Sequence, residues 1–178
     1  SDPVSVLAHK AYDVMIAAYQ EGQNAFDVLN SFLGLDLPIA DYLYIYRNHK
    51  PKIALCDDVV RTLDALKAEG VRIGLITDGR SVQQRNKIMA LGLDRWIDDA
   101  DIVVSEEIGS EKPALANYEY FMKRCPGCSD FTYVGDNPDK DFIAPNTLGW
   151  ETICLRDDGR NIHKQDFSGQ CFFPKPPS

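Results

Sequence analysis

The stretch Val71-Arg72-Ile73-Gly74-Leu75-Ile76, followed at once by Thr77-Asp78-Gly79-Arg80, decides the fold of this 178-residue chain. Its first part is short and aliphatic, without the polar alternation of a half-solvated strand. That is the composition of a strand covered on both faces of a parallel sheet. Upstream, Asp57 or Asp58 caps a helix that puts Val60, Leu63 and Leu66 on one face and closes at Gly70. Downstream come a helix from Ser81 to Leu91, the strand Ile102 to Val104, and a helix starting at Pro113. The strand Phe131 to Val134 follows, then a polar loop with a short helix, and a last strand from Thr152 to Leu155. This alternation predicts a doubly wound, Rossmann-like α/β domain with a parallel sheet and right-handed crossovers.

The first 50 residues read differently. Asp2-Pro3 is a cap followed by proline in a first helical turn, and Val6, Val14 and Ala17 recur at helical spacing. A second helix spans Asn24 to Leu33 and ends at Gly34, and a third spans Ile39 to His49. In the third, the run Tyr42 to Tyr46 is aromatic and β-branched enough for a strand, but helix is the reading adopted. Tyr12, Tyr19 and Phe26 read as core packing. The tail after Asp157, with Pro174, Pro176 and Pro177, reads as an irregular strap.

Composition narrows the function classes. Lys and Arg number 19 against 27 Asp and Glu, for a net charge of -8, and the basic residues are scattered. Nucleic acid and anionic membrane are therefore not expected as partners. No apolar run approaches the roughly 20 residues a bilayer needs, and no charged n-region opens the chain, so a soluble, cytoplasmic protein is expected. The cysteines, Cys56, Cys125, Cys128, Cys154 and Cys171, are odd in number and irregularly spaced, which predicts reduced thiols. Cys125-Pro126-Gly127-Cys128 has a redox or metal reading, but lacks a second ligand pair at zinc spacing. A turn between helix and strand is the expectation.

Ligands of an open parallel sheet bind at the carboxyl ends of its strands, and three segments there carry chemistry. Thr77, Asp78 and Gly79 offer a hydroxyl and backbone amides suited to phosphate. Lys112-Pro113, with proline expected at a first helical position, places a cation on the same rim. Asp136, Asp139 and Asp141 crowd carboxylates into one loop, which suits a hard cation such as Mg2+.

Together these segments resemble the haloacid dehalogenase-like (HAD) superfamily. Leu75-Ile76-Thr77-Asp78-Gly79 resembles its second motif, whose Ser or Thr holds the transferring phosphoryl group. Glu111-Lys112-Pro113 resembles the third motif. Val134-Gly135-Asp136-Asn137-Pro138 through Asp141-Phe142 resembles the fourth, a GDxxxxD version that supplies metal ligands. Residues 4 to 50 resemble the small all-helical cap of some members, which divides the chain into a cap over 1–50 and a core over 51–178. The resemblance implies a Mg2+-dependent phosphatase that acts on a small phosphorylated metabolite through an aspartyl-phosphate. Lys112 and Thr77 would be catalytic, and Thr77, Asp78, Gly79 and Asn137 would meet the substrate. Asp136 and Asp141 would serve the metal.

The family's first motif, DxDx[TV] at the end of a central strand, holds the nucleophilic aspartate, and no such motif is read anywhere in this chain. The chain by itself is therefore expected to be inactive. A phosphate- or partner-binding module that has lost its nucleophile is the second reading. Activity gained on supplying a DxD segment would separate the two. A dehalogenase fits less well, because the GDxxxxD carboxylates suit a metal. Asp78 stands where relatives often have asparagine, and a carboxylate beside phosphate is unwelcoming unless only its backbone binds.

In the family the first-motif strand lies between the strands ending at Thr77 and Gly135. Without it their edges stand roughly 9 to 10 Å apart, and unpartnered buried backbone groups cost about 1–3 kcal/mol each. The gap is expected to be closed by a further segment, a second copy, the Tyr42 to Tyr46 run, or direct pairing of the flanking strands. Since one carboxylate ligand belongs to the first motif and Mg2+ demands near-octahedral oxygen coordination, weak Mg2+ binding is expected. Calorimetry should show that binding abolished in Asp136→Ala, and tight binding that survives the substitution would count against both the site and the family reading.

Overall fold

The computed structural model describes residues 2–159, 161 and 165. The chain divides into two compact units, Ser1–His49 and Lys50–Ser178.

In the first unit, α1 (Pro3–Gln20) starts at Asp2, whose side chain accepts from the Val4 N–H. Proline in the first turn costs nothing there, because an N–H at its position would have no helical partner. Asn24 caps α2 (Ala25–Leu33) through the Phe26 N–H, and Gly34 ends it in the left-handed conformation. The run Tyr42 to Tyr46 lies inside α3 (Ile39–Asn48) and is helical. Phe26 stacks on Tyr42 with ring centres 5.4 Å apart. Asn30 fixes the connection by accepting from the Tyr42 hydroxyl and the Leu37 N–H and donating to the Leu37 carbonyl. The expectation for Tyr12 and Tyr19 is corrected, because they are 59% and 57% exposed, and Val6 and Ala17 are exposed as well. α1 packs chiefly on α2 around Ala18 and Leu29, so one stripe of its circumference is covered.

In the second unit, Cys56 takes the cap position of α4 (Asp57–Ala68), with Asp57 and Asp58 in the first turn. There the carboxylates face the positive end of the helix dipole. β1 (Leu75–Thr77) is shorter than the run Val71 to Ile76 and half-buried rather than covered on both faces. Its partner β2 (Ile102–Val104) is equally short, so the parallel ladder joins Leu75 to Ile102, Ile76 to Val103 and Thr77 to Val104. Upstream of it Arg72 is drawn aside onto Asp101, at 2.7 and 2.8 Å.

Between these strands runs α5 (Ser81–Leu91), closed by Gly92 at φ 61°. Residues read as loop form a short helix, α6 (Ser105–Ile108). The helix expected from Pro113 begins later, as α7 (Ala116–Arg124). Glu111 to Ala114 is instead a tight turn, closed by the Ala114 N–H on the Glu111 carbonyl at 2.9 Å. β3 (Thr132–Gly135) and β4 (Glu151–Cys154), connected through α8 (Ile143–Thr147), form a second parallel pair.

Two hydrophobic clusters hold these elements. One centres on Leu93, Ile97, Ile102 and Val104, the other on Tyr118, Ala144 and Trp150. Leu75 packs on the first and Ile76 on the second, as successive residues of a strand face opposite ways. Ile76 thereby meets the cluster that also takes Tyr133 of β3. No ladder joins β1 to β3 among the described residues. The expected closure by a filling strand or by direct pairing is thus not found, and placing a strand between them gains no support from it. Side chains make the link instead.

The expectation of reduced thiols is corrected at Cys125 and Cys128, which are bonded to each other with Cα atoms 5.4 Å apart. The expected turn is present, closed by the Cys128 N–H on the Cys125 carbonyl at 3.0 Å. It brings the two residues within bridging distance. Cys56 and Cys154 are free thiols. Cys171 and the proline-bearing strap lie outside the described residues. No described helix is long and apolar enough to cross a membrane.

Val104 is wholly buried in the first cluster. Val104→Ala is expected to cost about 2 kcal/mol through lost burial and the cavity left behind, read as a lower urea midpoint with an unchanged slope.

Candidate active site

At the end of β1 the Thr77 hydroxyl donates to Gln84 Oε1 at 3.0 Å. Two residues on, Gly79 has φ 135°, and a Cβ there would come within 2.6 Å of Gln84 Nε2. Glycine is required at this position by its backbone angle, and a side chain there would also push the end of Gln84 aside. The Gly79 N–H donates to Ser105 Oγ at 2.9 Å. The turn is therefore strapped to α5 by Gln84 and to α6 by Ser105.

Behind it, the Ser81 N–H donates to Glu106 at 2.7 Å, and Arg85 makes a forked contact with Glu107 at 2.9 and 2.6 Å. Hydrogen bonds from Arg85 and then Ser81 pull the Glu107 carboxyl from 4.5 down to about 2.

Asp78 spans the rim. Its Oδ1 accepts from the Lys112 N–H at 3.1 Å and its Oδ2 from Lys140 Nζ at 3.1 Å. Lys112 Nζ donates to Asp141 Oδ1 at 2.7 Å and to the Tyr133 hydroxyl at 3.3 Å. Asn117 is wholly buried behind the lysine. In the orientation that satisfies both ends of its carboxamide, it accepts from the Lys112 N–H at 3.3 Å and donates to Ser110. Lys112 and Asp141 are 12% and 2% exposed at their side chains. Lys112 thus meets the segment after Thr77 through its backbone and the acidic loop through its ammonium.

Asp141 organises the acidic loop. Its Oδ2 accepts from the N–H groups of Asp136 and Asn137 at 3.1 and 3.0 Å. A Cβ on Gly135 would sit 2.7 Å from the same oxygen. Asn137 turns its own Oδ1 to the Asp139 N–H and is buried, so its carboxamide oxygen serves the loop. Asp136 accepts from Asn161 at its carboxylate and from Gln165 at its carbonyl, both at 2.7 Å. Burial pushes the Tyr133 and Tyr118 phenols up, so both stay protonated at neutral pH, and Tyr118 donates to the Asp141 carbonyl at 3.2 Å. Among the described residues no three His, Cys, Asp or Glu side chains gather in a way that could hold a metal ion.

The letters DxDx[TV] do occur once, as Asp99-Ala100-Asp101-Ile102-Val103, a correction to the sequence reading. The two aspartates precede β2 instead of ending a strand. Asp101 is committed to Arg72 and Arg124, and Asp99 to Arg85, at the far end of β2 from the rim. They do not supply the nucleophile position. Gln84, Ser105, Tyr133 and Lys140 escaped the sequence reading. For Lys140 a signal was present, a basic residue inside an acidic loop.

With this geometry in view, comparison with known proteins is decisive for the family. The sequence model of the haloacid dehalogenase-like hydrolases matches residues 13–155. The chain belongs to the haloacid dehalogenase-like hydrolase family. A glyceraldehyde 3-phosphate phosphatase of Methanocaldococcus jannaschii is 35% identical over 136 residues, 74% of this chain and 59% of that protein. A ribulose-1,5-bisphosphate 5-phosphatase of Halopiger xanaduensis is 32% identical over 103 residues, 57% of this chain and 42% of that protein. The HAD-like chain therefore spans about three-fifths or less of the length of these relatives. In fold it resembles a magnesium-bound putative HAD-hydrolase of Bacillus subtilis. The TM-score is 0.60 at 21% identity, covering 87% of this chain and 72% of that one.

Because the folded Glu107 carboxyl lies below its unfolded value of 4.5, its pairing stabilises the fold fully above that pH. The contribution is lost as the pH falls toward about 2. Glu107→Gln should therefore be less stable than the parent at neutral pH, with the difference vanishing on acidification, as read by urea unfolding across a pH series.

Proposed function

We propose that this HAD-like chain is the phosphate-handling part of a phosphatase acting on a small phosphorylated sugar or similar metabolite. The observation that carries the reading is the placement of Lys112, bonded through its backbone to Asp78 beside Thr77 and through its ammonium to Asp141 of the acidic loop. A cation buried to that degree, on a rim with a hydroxyl and a glycine turn, suits a phosphoryl group whose charge must be offset. The phosphatase names borne by the two archaeal relatives support the same class.

In this reading Thr77 and the amides of Asp78 and Gly79 grip the phosphoryl oxygens, and Thr77 and Gly79 exchange Gln84 and Ser105 for the substrate. Lys112 neutralises charge on those oxygens and shares its ammonium with Asp141. The nucleophile would come from a DxDx[TV] strand, and the helical unit would act as the cap that selects the substrate.

Mg2+, when bound, would offset phosphoryl charge and hold the group for in-line attack. The donor set fits it through one direct carboxylate, Asp136. Asp141 has both oxygens committed, to Lys112 and to the loop amides, and would shape the loop from behind. Asn137 contributes in the same way.

Phosphate release is the test, measured with Mg2+ on the protein carrying a DxDx[TV] strand, over a panel of sugar, nucleotide and small-acid phosphates. Lys112→Ala is expected to lower turnover by roughly 100-fold or more and to weaken inorganic phosphate binding in calorimetry. Unchanged turnover in that variant, or no release from any phosphate, would overturn the reading.

A further inference from the structure

We infer that Asp78 acts through its side chain as a positioning residue that ties the three rim segments together, with Lys140 as its charge partner. Its geometry stands by itself, and its bearing on catalysis rests on the phosphatase reading. Asp78 follows the last residue of β1, Lys112 lies in the turn after α6, and Lys140 lies in the loop after β3. One carboxylate oxygen holds the backbone of Lys112 and the other the ammonium of Lys140, each at 3.1 Å.

The second contact has no substitute in the backbone. β1 and β2 are joined by a ladder, but among the described residues none joins β1 to β3. Across that gap the rim is held by two ion pairs, Asp78 with Lys140 and Lys112 with Asp141. The Asp78 side chain is 16% exposed and that of Lys140 38%, so the pair is shielded from solvent at the carboxylate and reached by it at the ammonium.

The arrangement also answers the chemical objection to a carboxylate at this place. Both oxygens face donors and the negative charge is met by Lys140, which leaves the phosphoryl position to Thr77, the backbone amides and Lys112. An asparagine here would keep an oxygen for the Lys112 N–H and lose the charge pairing. Asp78 and Lys140 therefore form one unit, and the loss of either should loosen the loop of residues 136–142.

Amide hydrogen exchange by mass spectrometry on the 178-residue chain separates these roles. Asp78→Ala should speed exchange in residues 109–115 and 136–142 by at least about fivefold, as expected for loss of a shielded hydrogen bond. Asp78→Asn should restore slow exchange in 109–115 but not in 136–142, and Lys140→Met should affect 136–142 alone. If Asp78→Ala fails to fold, the asparagine and methionine variants decide. The inference is overturned if asparagine leaves 109–115 fast, or if Lys140→Met leaves 136–142 as slow as the parent. The phosphatase reading fails separately, if the protein with its DxDx[TV] strand releases no phosphate while this exchange pattern holds.

Discussion

The carboxylate of Asp141 is the constraint on which the rest of the site depends. A carboxylate removed from water needs a cation and hydrogen-bond donors, or its desolvation would cost several kcal/mol. Here Lys112 supplies the cation, and the N–H groups of Asp136 and Asn137 supply the donors. The requirement works in both directions. Satisfying Asp141 folds the loop after β3 back on itself, and it leaves no room for a side chain at Gly135. It also fixes where the Lys112 ammonium must be, and so where the turn after α6 must run.

The strands do little of this positioning by themselves. Ladders of three and four residues supply few backbone hydrogen bonds, and no described ladder crosses from one pair to the other. What connects them is apolar contact below the rim, where Ile76 meets the cluster containing Tyr133, and ion pairs at the rim. The polar groups above are held by neighbours that have no direct chemistry, Gln84 on Thr77 and Ser105 on Gly79. In the proposed phosphoryl transfer the placement of Lys112 by Asp78 and Asp141 would matter most, because placement and charge compensation dominate that chemistry.

Family membership and site geometry constrain each other. The family match covers residues 13–155, which includes Thr77, Lys112, Asp136 and Asp141 together with most of the helical unit. The geometry adds a local feature, a carboxylate at position 78 made tolerable by a lysine in the acidic loop.

Sequence by itself determined the elements and the order of the chemistry. Ser81–Leu91 and Ile102–Val104 were legible to the residue, because capping, helix-forming composition and apolar runs are local signals. Thr77, Lys112 and Asp136 were read as rim residues from the parallel order, and they lie at the end of β1, in the turn after α6 and directly after β3. Tertiary structure alone decided the length of β1, since a ladder ends where its partner does, and the outward placement of Tyr12 and Tyr19, since burial depends on which neighbour covers a helix. It alone decided that Asp99 and Asp101, which carry the letters of a catalytic motif, serve Arg85, Arg72 and Arg124 instead. It also brought Asp78 to Lys140, 62 residues away in the chain. A local pattern encodes which groups a segment offers, whereas their partners are set by distances that only packing creates.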